Sequence, residues 1–277
     1  MGEKVICIYH SRDLDGWMSA AIVKSIYPEA EFMGWDYGQS LPAINPWHAR
    51  VILVDVSFPV HNMKHLCEKN SLTWIDHHIS AIKEMRDSAL DPGGVRDIKR
   101  AACELTWEWF YPKVKMPEIV RLLGRYDCFG HKGTDEERKV LIFQYAARAS
   151  LRNVDECYKA LVDVHDDHIE GWLNVGEGIY SYLCTEARQK YDKKFEIWLD
   201  GKLFACINDW RMNPINFGIN YHADGYDGFA CFWYENGQFS YSLYNDNGDV
   251  DCSVIAKNRG GGGHKGASGF ISSEIIK

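Results

Sequence analysis

Three short apolar runs near the start of the chain end on acid or histidine. Val5–Tyr9 (VICIY) runs into His10-Ser11-Arg12-Asp13-Leu14-Asp15-Gly16, Val51–Val54 (VILV) into Asp55, and Leu72–Ile75 (LTWI) into Asp76-His77-His78. Apolar, mostly β-branched and without polar alternation, these runs read as buried strands. Glu31–Trp35 reads as another. Helical patterns lie between them, over Gly16–Tyr27, where Pro28 stops it, and near Val60–Lys69. Strand and helix in alternation predict a parallel α/β sheet with helices on both faces. Such sheets bind ligands beyond the carboxyl ends of their strands, where the strand order reverses. If the strands are neighbours, His10, Asp13, Asp15, Asp55, Asp76, His77 and His78 gather in one crevice.

Carboxylates packed that closely repel one another, and some must take up protons unless a cation neutralises them. Imidazole and carboxylate without thiolate suit Mn²⁺ or another first-row divalent ion better than a structural zinc. The number of candidate ligands points to two ions sharing a bridging carboxylate, a device for phosphoryl transfer. Any one aspartate at a strand end, taken alone, reads more readily as a helix cap or turn residue than as a ligand. Capping does not explain three histidines at the same sheet edge.

The middle of the chain is helical. Lys99–Phe110 and Pro117–Arg125 carry helical periodicity, and helical patterns continue from Asp135 to about Leu199. Gly176–Leu199 reads as one long helix linking two domains. The last quarter reads as strands at Lys202–Ile207, Gly228–Tyr234 and Phe239–Tyr244, with an Asn236-Gly237 hairpin turn, and a final strand around Ser268–Ile271. Residues 1–190 are expected to form the first domain and 191–277 a smaller α/β domain. The run Gly260–Gly263 reads as a flexible loop whose backbone N–H groups suit phosphate, with Arg259, His264 and Lys265 as flanking cations. Its spacing fits neither a P-loop nor a dinucleotide fingerprint. His61 and His65 share a helix face without a third ligand. His165-Asp166-Asp167-His168 reads as a solvated cluster, and Asp224, Asp227, Asp246, Asp249 and Asp251 as turn residues without a calcium-loop pattern.

Composition limits the partners. With 39 acidic against 31 basic residues the formal charge is −8, which argues against a long nucleic-acid track. The nine cysteines are odd in number and show no C-x-x-C pair, so a reducing, cytoplasmic setting is expected. No signal-peptide core or membrane-length apolar segment is seen. The tryptophans and the long helix are compatible with a homodimer.

Asp13-Leu14-Asp15-Gly16, Asp55, Asp76-His77-His78, Arg125-Tyr126-Asp127 and the Gly260–Gly269 stretch (GGGGHKGASG) resemble, in order, the motifs of the DHH phosphoesterase superfamily with its associated C-terminal domain. The likeness is greatest to the small bacterial nanoRNases. It implies an N-terminal parallel-sheet domain, a linker helix and a C-terminal substrate-binding domain. By resemblance, His10, Asp13 and Asp55 would hold one Mn²⁺, and Asp15, Asp55, His77 and Asp127 another, with Mg²⁺ or Co²⁺ as alternatives. Asp76 would orient an imidazole, and His78 would face the scissile phosphate. Asp15, Asp76 and His78 are thus the candidate catalytic residues. Arg259, Gly261, Gly262, Gly263, His264, Lys265 and Ser268 are the candidate substrate contacts. The implied activity is hydrolysis of short RNA oligonucleotides, or of small linear or cyclic dinucleotides, to mononucleotides by water activated between two metals. Long duplex nucleic acid and membranes are not expected partners. The alternatives are a phosphatase of 3′-phosphoadenosine-5′-phosphate type, a polyphosphatase, or an inactive nucleotide-binding sensor.

Overall fold

The computed structural model describes residues 3–44, 48–163, 168–210 and 212–276. His165, Asp166 and Asp167 of the solvated cluster lie outside the described residues. The chain divides into two compact units, Met1–Ile179 and Tyr180–Lys277. The division falls inside a helix and earlier in the chain than the expected 190/191.

The N-terminal unit opens with β1 (Val5–His10), α1 (Leu14–Ile26), β2 (Glu31–Trp35), β3 (Arg50–Val54), α2 (Val60–Lys69), β4 (Ser71–Ile75) and α3 (Ile79–Asp87). Helices α4 (Ala102–Phe110), α5 (Glu118–Asp127), α6 (Glu137–Ser150), α7 (Val154–Asp163) and α8 (Ile169–Tyr191) follow. The strands form a parallel sheet in the order β2-β1-β3-β4. From β1 the chain first steps to β2 and then returns to the other side, so the strand order reverses beside β1. That is where a parallel sheet opens a crevice at its carboxyl edge.

Side chains alternate across this sheet because successive residues of a strand face opposite ways. Cys7, Ile52, Val54 and Ile75 pack with Met18 and Ile22 of α1, Leu105 of α4, Leu122 of α5 and Phe143 of α6. Ile6, Ile8, Val51, Leu53 and Trp74 face the other way, onto Met63 and Leu66 of α2 and Ala81 and Met85 of α3. Both faces are covered, which explains why the strands read as continuous apolar runs. Helix α3 was not anticipated; its sequence, ISAIKEMRD, buries only Ala81 and Met85.

The C-terminal unit carries β5 (Phe195–Leu199), β6 (Lys202–Asn208), β7 (Gly228–Glu235), β8 (Gln238–Tyr244), α9 (Cys252–Lys257), β9 (Gly262–His264) and β10 (Ala267–Ser272). They form a sheet in the order β5-β6-β7-β8-β10-β9, antiparallel except for β6 beside β7. Phe204, Phe232, Tyr241, Leu243 and Phe270 build its core with Ile255 and Ala256 of α9.

Two expectations change here. Helix α8 ends at Tyr191, and Phe195–Leu199, read as helix, is the edge strand β5. Asp200 and Gly201 both adopt positive φ (51° and 76°), the hairpin geometry that Asp-Gly favours. That dipeptide was the overlooked signal. The glycine run is also more ordered than a free loop. Gly262–His264 pairs with Ala267–Gly269 of β10, and a Cβ on Gly261 would lie 2.1 Å from the carbonyl oxygen of Gly269. Among the described residues, no helix is long and apolar enough to cross a membrane.

Candidate metal centre

The carboxyl ends of the four parallel strands bring the expected residues together. Asp13 caps α1, its Oδ1 accepting from Gly16 N–H at 3.0 Å, while its Oδ2 lies 2.8 Å from His10 Nδ1 at the end of β1. Gly16 is required by this close turn, since a Cβ there would sit 2.1 Å from the His10 carbonyl oxygen. Asp15 points inward from α1, 3% exposed, and accepts N–H bonds from Ala102 (2.9 Å) and Cys103 (2.7 Å) at the start of α4. The unpaired N–H groups and positive dipole end of a helix favour a carboxylate at that place.

Asp55 follows β3 in the left-handed region, φ 60°. Its N–H donates to Ile75 O at 3.0 Å, and it is 1% exposed. Left-handed geometry in a residue other than glycine costs energy, though Asp and Asn tolerate it best. The turn aims Oδ2 at His10 Nδ1 (3.4 Å) and Oδ1 at His77 Nε2 (3.3 Å). His77 Nε2 also lies 3.3 Å from Asp127 Oδ2 and 3.6 Å from Asp15 Oδ2. Asp76 is fully buried and heavily bonded. Its Oδ1 accepts from the N–H groups of His77 (2.7 Å) and His78 (3.1 Å) and from His78 Nδ1 (2.7 Å). Its Oδ2 accepts from Trp74 Nε1 (3.1 Å). Asp76 therefore fixes the His78 ring.

Three groups each bring one ligand atom per residue within 4.8 Å: His10–Asp13–Asp55, Asp15–His77–Asp127 and Asp55–His77–His78. Asp55 belongs to two of them. The electrostatics match this crowding. Burial raises Asp55 well above the ordinary carboxylate value, and the charges of Asp15 and Asp13 raise it further. Asp127 is raised by burial and by the charges of Asp15 and Asp55. Burial alone would lower His10, but the adjacent carboxylates of Asp13 and Asp55 override it and push the ring up to about 11. His77 and His78 also rise despite burial, His77 through Asp15 and Asp127, His78 through Asp76.

These shifts express a demand for positive charge. Among the described residues Asp55 Oδ1 and His10 Nδ1 are buried without a hydrogen bond of acceptable geometry, so the 2.8 Å approach of Asp13 is proximity, not a directed bond. The donor set of imidazole and carboxylate, and these two inward-facing atoms, fit divalent ions.

Asp36 is not among the residues expected at this sheet edge, yet it joins them. Its Oδ1 lies 3.3 Å from His10 Nε2, and its Oδ2 accepts from Arg12 Nη1 at 3.1 Å. Asp36 thus leaves Nδ1 as the atom that faces Asp13 and Asp55, the carboxylate-backed arrangement common for metal-binding histidines. The signal was present: β2, the fourth strand, also runs directly into an aspartate. Tyr37 follows, 49% exposed, its ring centroid 6.2 Å from those of both His10 and His78.

In the C-terminal unit, Arg259 is already engaged, donating to Asp200 Oδ1 (2.9 Å) and to Ile255 O (3.0 Å). Ser268 Oγ donates to Cys252 O at 2.6 Å. Gly263, His264 and Lys265 are exposed, and Gly261 and Gly262 partly so. His61 and His65 lie exposed on α2.

No protein-family model matches the chain. A curated relative, the uncharacterized protein R106 of Acanthamoeba polyphaga mimivirus, is 26% identical over 235 residues, 81% of this chain. The chain spans 53% of that relative's length. Among solved structures, a pGpG-specific phosphodiesterase from Vibrio cholerae superposes with a TM-score of 0.54 at 12% identity, covering 98% of this chain and 93% of that one. At that identity the likeness defines the fold, and the fold is the α/β architecture that the motifs imply.

Proposed function

We propose that this chain is a divalent-metal-dependent phosphoesterase of the DHH superfamily, cleaving the phosphodiester of a short oligoribonucleotide or dinucleotide. The observation that carries the reading is Asp55, a buried carboxylate in a left-handed turn whose two oxygens face His10 and His77. The fold shared with a nucleotide phosphodiesterase supports it.

In this reading His10, Asp13 and Asp55 would hold one ion and Asp15, Asp55, His77 and Asp127 the other. When bound, paired ions lower the pKa of water and neutralise phosphate oxygens. The chain's own residues prepare the place. Asp36 and Asp76 hold the His10 and His78 rings, and the start of α4 fixes both oxygens of Asp15. With Nδ1 donated to Asp76, His78 presents Nε2 toward the phosphate, where a hydrogen bond strengthens as negative charge develops. In the C-terminal unit, Gly261–Gly263, His264 and Lys265 are assigned to the substrate. Arg259 and Ser268 are reached only if their present partners release them.

The test is a product assay. Purified protein and Mn²⁺ are offered RNA di- to pentamers, linear and cyclic dinucleotides, a nucleotide bisphosphate and polyphosphate. Release of mononucleotides from the short RNAs or dinucleotides is expected. Phosphate release from the bisphosphate or polyphosphate alone would select a phosphatase. Nucleotide binding without turnover would select a sensor.

A further inference from the structure

Just beyond α5 lies a buried imidazole to which the scheme above gives no task. His131 is 1% exposed, and its Nδ1 lies 2.9 Å from the carbonyl oxygen of Arg125. A carbonyl only accepts, so Nδ1 carries the proton. Burial holds the ring below the usual imidazole pKa, so it is neutral and Nε2 is a bare lone pair. Among the described residues that Nε2 is buried without a partner. An unsatisfied buried acceptor is costly, and phenylalanine or leucine would fill the space without it. The residue therefore earns its place through Nδ1.

The segment around it is shaped to bring the ring back under the helix. Phe129 takes a left-handed turn (φ 55°), and Gly130 passes so close that a Cβ would lie 2.8 Å from Arg125 Nη1. Thr134 then pins the backbone, donating N–H (3.1 Å) and Oγ1 (2.7 Å) to the His131 carbonyl. The ring lies parallel to that of Tyr126, 5.4 Å away and inclined by 7°. In the last turn of α5, Gly124 O takes the Cys128 N–H and Tyr126 O the Phe129 N–H, each at 3.1 Å. Arg125 O takes the imidazole. The carbonyls of a helix's final turn have no partner within the helix, and here a side chain takes the one between two that backbone N–H groups hold. Asp127 is the last residue of that turn, its Oδ2 3.3 Å from His77 Nε2.

We propose that His131 is a positioning residue for Asp127, closing the end of α5 so that the carboxylate points at His77. The proposal rests on the reading of Asp127 as a cation ligand. It assigns a task to each residue of Arg125-Tyr126-Asp127: a carbonyl for the ring to hold, a face for it to lie against, and the carboxylate so aimed. Loss of His131 acts on the Asp15–His77–Asp127 group and spares His10–Asp13–Asp55.

The experiment is Mn²⁺ titration of the full chain by calorimetry, with thermal unfolding recorded alongside. His131→Asn keeps a donor near the Nδ1 position. His131→Gln moves the amide outward, and His131→Leu removes the donor. The Leu and Gln variants are expected to weaken one of two Mn²⁺ sites by ~10-fold, the size of effect seen when a ligand's supporting partner is lost. The Asn variant is expected to recover most of that loss, and the second site to stay as in the wild type. A Leu variant that binds both ions like the wild type overturns the proposal, as does an Asn variant no better than Gln at equal thermal stability. If the Leu variant does not fold, the Asn–Gln pair decides. A wild-type chain that binds no Mn²⁺ overturns the ligand reading and this proposal together, whereas two intact sites in every variant overturn this proposal alone.

Discussion

In the N-terminal unit Asp15, Asp55 and Asp76 are almost wholly withdrawn from water, whereas in the C-terminal unit His264 and Lys265 stand exposed. The first unit reaches that state through topology. Parallel strands end together, so side chains distant in sequence converge and the fold carries the cost of their repulsion. The second unit reaches its state through the backbone. Antiparallel pairing of β9 with β10 needs glycine where chains approach closely, and it crowds no charges. A site assembled from buried carboxylates should therefore be lost by small chemical changes that leave the fold intact. A strand assembled from glycines should be lost by small steric changes that unsettle the fold.

The largest effect tests the first half of that contrast. Asp55→Asn keeps a residue that tolerates left-handed geometry but removes the charge shared by two ligand groups. Phosphodiester hydrolysis is expected to fall by ~10³-fold or more, about 4 kcal/mol of transition-state stabilisation. Because Asp55 is raised far above its ordinary pKa, its ionised form weakens the folded state at neutral pH. The metal-free variant should then melt no lower than the metal-free wild type. A variant that unfolds instead would show that Asp55 serves the fold and not the site.

Much of this site was legible because strand ends can be read in sequence and a parallel sheet places them side by side. Asp13, Asp15, Asp55, Asp76, His77 and His78 needed only that step. Asp127 was different. It ends a helix, and no periodicity says where a helix end will point; it came from the motif resemblance. Asp36 was legible and overlooked, since β2 ends as its neighbours do. The N–H groups of Ala102 and Cys103 that hold Asp15 were not legible at all, because they are backbone atoms 87 and 88 residues away.

The C-terminal unit shows where pattern reading stops. Asn236-Gly237 announced its hairpin. Asp200-Gly201 announces another just as clearly, although the helical pattern before it runs on through FEIWL, which is strand β5. Glycines cannot declare themselves by side chain, so the run 260–263 read as a loop although part of it is strand. A second substitution breaks or sharpens this half of the comparison. Gly261→Ala places a Cβ 2.1 Å from the Gly269 carbonyl oxygen and 2.7 Å from Phe270 Cβ. Backbone must move, and overpacking of this kind costs ~2 kcal/mol. Chemical denaturation of the full chain should show that loss, while Mn²⁺ binding by the N-terminal unit stays unchanged. Equal stability would mean that β9 is not held against β10 as tightly as the structure indicates.

The smallest effect comes from carboxylates of the N-terminal unit that have found partners at the surface. Glu118 accepts from Arg121 Nε and Nη2 and from Lys139 Nζ, all at 2.7 Å, and Arg121 also donates to Glu136 at 2.7 and 2.8 Å. These bonds tie the start of α5 to α6, at the opposite end of the helix from Asp127. The Arg121 hydrogen bonds lead in holding Glu118 down to about 2, against a smaller opposing effect of burial. A carboxylate depressed in the folded state contributes stability above its unfolded pKa, near 4.5, and loses it as pH falls through the folded value, near 2. Exposure to solvent reduces what the pairs are worth to about 1 kcal/mol. Urea unfolding should therefore find Glu118→Gln less stable than the wild type by that amount at pH 7, with the gap closing between about pH 4.5 and 2. A gap that persists at pH 2 would assign the stabilisation to packing of the side chain. A gap that closes there places Glu118 opposite Asp55: one carboxylate whose charge supports the fold, the other whose charge the fold must carry.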